Sequence, residues 1–134
     1  MKIALIAHDS KKILMENICI AYRHILIKHS VLATGTTGET VEKAANIQVQ
    51  KYLAGSLGGE QQLGSHIAQN DIDLVIYLRD PNQSYEPENK TEASNILSLC
   101  DTHNIPLATN LATAEVLILA LDRGDLSWRE NMRK

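Results

Sequence analysis

The sequence predicts an α/β fold with a mainly parallel central sheet flanked by helices, on three observations. Apolar runs of strand length alternate with longer stretches of helical period. The strongest runs are continuously apolar, as in strands buried on both faces. The unusual polar residues follow directly after those runs. At 134 residues, 44% of them hydrophobic and only three of them proline, the chain suits a single domain over 1–134 that buries about two thirds of its surface.

The elements follow in order. KIALIA (2–7) is a continuous apolar run suited to a central parallel strand, and 10–29 carries Ile13, Leu14, Ile18, Tyr22 and Ile25 at helical spacing. SVLAT (30–34) is the next strand, TGETVEKAAN (37–46) a short helix, and IQVQKYL (47–53) an alternating strand with one wet face. The glycine-rich GSLGGEQQ leads into a helix over LGSHIAQN (63–70). DLVIYL (73–78) is the most apolar run and is expected at the sheet's centre. Residues 79–90, with two prolines and no period, read as a long loop. A helix over 91–104, a strand IPLAT (105–109) and a helix over 111–123 complete the pattern, and the tail DLSWRENMRK is weakly patterned.

A net charge of −3 offers no basic patch for nucleic acid and no polybasic run for a membrane, so an anionic ligand must be held locally. The N-terminal apolar run is far shorter than a signal-peptide core and charges follow it at once, which predicts a cytoplasmic chain. Cys19 and Cys100 fall within apolar helical patterns and read as buried thiols. No Cys or His spacing suggests a metal site.

In an open α/β sheet, ligands bind beyond the carboxyl ends of the strands. The residues there are His8, Asp9, Thr34 to Gly38, Gly55 to Gln62, Asp80, Pro81, Thr109 and Asn110. TGTTG (34–38) sets three hydroxyls and two glycines at a strand-to-helix turn, where amides and hydroxyls can cradle a phosphate. A plain threonine cap explains the same residues. Lys12 can reach over this rim toward an anion. Glu60 is either a carboxylate favoured in a first helical turn or a general base, with Gly58 and Gly59 leaving room for substrate. Spacing does not separate these readings.

Five segments in register add to this. IALIAHDSKK, LATGTTG, GSLGGEQQLG, DLVIYLRDP and NIPLATNLATAE stand in the order and spacing of the methylglyoxal synthases, and the whole chain resembles that family. The resemblance implies a Rossmann-like domain, assembled as a homohexamer, that converts dihydroxyacetone phosphate to methylglyoxal and inorganic phosphate without metal or organic cofactor. By the same resemblance Lys12, Thr34, Gly35, Thr36, Thr37 and Gly55 bind the phosphate, and His8 lines the substrate pocket. Asp9 and Asp80 match acidic positions of the family's site, and Glu60 falls where the family has its catalytic aspartate.

Apart from Ala54, the departures from the family gather at the reacting end. Glu60 is one methylene longer than the aspartate it replaces. The 81–95 segment holds no histidine, although the family's loop carries one that acts on the substrate's oxygens. Ala54 replaces a serine of the phosphate set, and Glu92 stands for an aspartate near the start of the next helix. Two other readings therefore remain beside the synthase: a non-catalytic sensor of phosphorylated ligands, and a lyase for another phosphorylated carbonyl compound. His24, His29 and His66 read as surface or capping residues. Trp128, Arg129 and Arg133 either reach a neighbouring subunit or dock the tail on its own domain.

Overall fold

β1 (Lys2–Ala7) forms the middle of a five-stranded parallel sheet, its five residues from Ile3 onward all buried. The computed structural model describes residues 1–52, 58–82 and 96–132. The strand order β3-β2-β1-β4-β5 is that of Rossmann-like sheets, with β2 (Ser30–Ala33), β3 (Gln50–Lys51), β4 (Leu74–Leu78) and β5 (Leu107–Ala108). The expected order of apolarity is thus corrected in one detail. β4, though buried throughout, lies beside β1 and not at the centre.

Alternation along the strands builds two cores. Ile3, Leu5, Val31, Leu74 and Ile76 face α1 (Lys12–Ala21), α2 (Arg23–Leu26), α3 (Gly35–Ala45) and α6 (Leu111–Asp122). Ala4, Ile6, Val75 and Tyr77 face α4 (Gly59–Ala68) and α5, described over 96–103. Cys19 and Cys100 lie one in each core, and burial pushes their thiols up to about 12 and about 11. Among the described residues no helix is long and apolar enough to cross a membrane.

Several element boundaries differ from the periodic pattern: α3 and α4 start earlier than expected, at Gly35 and Gly59, and the strand expected over 105–109 is only Leu107–Ala108. The helical stretch 10–29 is a 3₁₀ turn (Asp9–Lys11), α1 and the single turn α2, with the break at Tyr22. There the Arg23 side chain donates to the carbonyls of Ala45 and Asn46, satisfying the exposed end of α3, which closes on left-handed Asn46. The strand expected over 47–53 shrinks to an exposed edge pair, Gln50 and Lys51. The weakly patterned tail forms α7 (Trp128–Met132), and Arg129 is its anchor.

Arg129 is 2% exposed and reaches the amino end of the sheet. It donates to Asp73, to Asn70 Oδ1 at 2.7 Å and to the carbonyls of Ile72, His103 and Asn104. Asp73 also accepts from the Lys2 amide, so one buried pair ties β1, β4, the turn before β5 and the tail together. The tail docks on its own domain through Arg129, while Arg133 lies outside the described residues.

Candidate active site

The carboxyl rim collects the polar residues that follow β1, β2 and β4. Thr34 sits at the N-cap of α3 in extended conformation and makes no side-chain capping bond. The first-turn amides of Gly35, Thr36 and Thr37 have no partner within the helix, which is the arrangement that favours an anion. Thr34 and Thr37 are buried and Thr36 is exposed. Gly38 lets α3 lie close to the sheet edge, because a Cβ there would stand 2.6 Å from Lys51 Cγ.

Lys12 opens α1, the helix that packs against α3. Its side chain is 18% exposed and its ammonium pairs with Asp9, whose own side chain is 98% exposed. That hydrogen bond holds the Asp9 carboxyl below its usual value. Asp9 therefore lies at the solvent side of the rim, against the lysine.

His8 follows β1 and is oriented from two directions. The Asp80 amide donates to His8 Nδ1 at 2.9 Å, and the imidazole meets the Tyr77 ring edge-on, 5.6 Å between centroids. An accepting Nδ1 carries no proton, so the neutral ring bears its proton on Nε2. Burial, and then the nearby Arg79 charge, lower the His8 pKa and favour that neutral form. The Asp80 carboxylate accepts from Ser10 Oγ at 2.7 Å and from the Asn82 amide, and the Ser10 bond leads in lowering its pKa. Arg79 keeps a buried Nε–H that has no hydrogen-bond partner among the described residues.

Glu60 lies in the first turn of α4, which starts from Gly58 at φ 102°, a left-handed position that glycine adopts without strain. The Tyr77 hydroxyl donates to Glu60 Oε1 at 3.0 Å across the interface between β4 and α4. His8, Tyr77 and Glu60 thus form a connected group at the mouth of the second core. Sequence reasoning passed over Tyr77 and Arg79, which read as strand and loop residues. Their position at the carboxyl end of the most apolar strand was the available signal. Ala54, Gly55 and Glu92 lie outside the described residues. A cavity of about 650 Å³ among α2, β2 and residues 46–50 carries none of these groups and belongs to the far end of the sheet.

The MGS-like domain family matches residues 16–109. The methylglyoxal synthase of Caldicellulosiruptor saccharolyticus is 60% identical over 132 residues, 97% of this chain and 91% of that protein. That of Alkaliphilus metalliredigens is 50% identical over 136 residues, 100% of this chain and 98% of the relative. Among solved structures, methylglyoxal synthase from Elizabethkingia anophelis NUHP1 superposes with a TM-score of 0.76 at 38% identity, over 87% of this chain and 76% of that one. With the parallel Rossmann-like sheet, the polar carboxyl rim and these relatives in agreement, the chain belongs to the methylglyoxal synthase family.

Proposed function

We propose that the protein is a carbon-oxygen lyase that converts dihydroxyacetone phosphate to methylglyoxal and inorganic phosphate. The observation that carries the reading is Glu60, held by Tyr77 at 3.0 Å on the rim that also bears the α3 N-terminus. Glu60 takes a proton from the hydroxymethyl carbon, and the electron pair left behind becomes the enediolate. The carbon-oxygen bond to phosphate then breaks, phosphate leaves with the bonding pair, and the resulting enol becomes methylglyoxal.

The remaining residues take roles that their surroundings support. His8, neutral and protonated on Nε2, donates to an oxygen of the enediolate, and the Arg79 guanidinium adds positive charge on that side. These two groups supply what the missing loop histidine would. Asp80 orients His8 through its amide, and Asp9 holds Lys12 at the phosphate end. Thr34, Gly35, Thr36 and Thr37 grip the phosphate, with Ala54 and Gly55 completing that end and Glu92 the reacting end. Holding the leaving oxygen out of the enediolate plane makes the cradle part of the chemistry as well as of binding. The reaction as written needs no metal or organic cofactor.

The homohexamer is part of the same proposal. Ile13 and Ile20 on α1 and Val116 and Leu119 on α6 are large apolar side chains left exposed, a surface that further copies would cover. The expected setting is the cytoplasm. Purified protein given dihydroxyacetone phosphate should form methylglyoxal and phosphate in equal amounts. Formation of neither would overturn the lyase. If the compound still raised the melting temperature in that case, the sensor reading would take its place.

A further inference from the structure

Glu60 has one more rotatable bond than an aspartate, so its carboxylate reaches further and loses more freedom when fixed in one pose. A base displaced by about 1 Å from its carbon can lose on the order of a hundredfold in rate. Something must hold the longer side chain. Tyr77 is placed for this: it is 1% exposed, and strand alternation turns it to the α4 side of β4. Its ring is packed among the core residues of that face and against His8, which fixes where the hydroxyl lies. That hydroxyl donates to Glu60 Oε1 at 3.0 Å.

We propose that Tyr77 is a positioning residue that sets the pose of the Glu60 carboxylate for proton abstraction. The assignment rests on Glu60 being the base. A hydrogen bond donated to a carboxylate favours its charged form, so Tyr77 also extends the range over which Glu60 accepts a proton toward lower pH. Among the described residues, the titratable and charged groups on the elements around this site include His8 after β1, Asp9 and Lys12 at the start of α1, Arg79 and Asp80 after β4, His66 on α4 and Cys100 on α5. Tyr77→Phe keeps the ring that packs against His8 and removes the hydroxyl.

The test is a double-mutant cycle between Tyr77→Phe and Glu60→Asp, with kcat, KM and the pH profile of kcat/KM measured for each, beside Glu60→Gln. Tyr77→Phe should lower kcat by about tenfold or more, leave KM within about twofold, and move the acidic limb up by up to about one pH unit. In the Glu60→Asp background the same change should alter kcat by no more than about twofold, because the shorter carboxylate no longer meets the hydroxyl. Wild-type kcat with an unmoved limb in Tyr77→Phe, or an equal loss in both backgrounds, overturns the assignment while leaving the base in place. Turnover by Glu60→Gln would remove the base and the positioning role together.

Discussion

His8 shows how much a single side chain's environment decides. Its position after a buried strand placed it on the ligand-binding rim, but its protonation depends on an amide at Asp80, far along the chain. The same holds for Glu60. Its residue type and glycine-flanked place were legible, whereas its partner Tyr77 was hidden as one more apolar-run residue. Because the folded His8 pKa is lowered, chiefly by burial, the fold favours the neutral ring. Its contribution to stability is full above the unfolded value near 6.5 and is lost as pH falls from there through the lowered folded value. His29, lowered by burial and then by the N-terminal amine, acts in the same direction. Urea unfolding should therefore show stability declining below about pH 6.5, with a shallower decline for His8→Gln. Equal slopes would mean that His8 carries no such linkage.

At the level of elements, helices were legible because periodicity survives in the sequence, and their ends were not. The α2 break follows from Arg23 reaching the end of α3, a tertiary contact that no local pattern announces. The edge strand β3 is likewise shorter than its alternating pattern, with Gln50 and Lys51 pairing, among the described residues, with β2. The start of α4 rests on Gly58, whose φ of 102° an L side chain adopts only at a cost. Gly58→Ala should destabilise the fold by about 1–2 kcal/mol. It should also lower kcat, since it shifts the turn that carries Glu60. Chemical denaturation and steady-state kinetics on one preparation check both. A variant as stable and active as the parent would show that this turn tolerates another conformation.

Over the whole molecule, the α/β class and the polar rim were legible because both come from the order of apolar runs. Strand order was not, since periodicity says nothing about which strand neighbours which, and the most apolar run proved to flank the centre. Arg129 was legible only as a conspicuous tail residue. Its burial depends on Asp73, Asn70 and Asn104, which converge only once the sheet has formed. Arg129→Met would leave the Asp73 carboxylate buried with its main counter-charge gone, and should cost about 3–5 kcal/mol in denaturant unfolding. A loss below about 1 kcal/mol would show that Asp73 is satisfied without Arg129, the Lys2 amide being one of its donors. These features serve one arrangement: the amino end of the sheet is tied by a buried ion pair, and the carboxyl end carries Glu60, the proposed base, and the first turn of α3, the proposed phosphate cradle. The most direct test of that arrangement follows the proton itself. Dihydroxyacetone phosphate deuterated at the hydroxymethyl carbon should release deuterium to water in step with phosphate when wild-type protein is added. With Glu60→Gln both should fall together by about 10²–10⁴-fold, at an unchanged melting temperature. Deuterium release that persisted in Glu60→Gln would contradict the account, because another group would then be taking the proton.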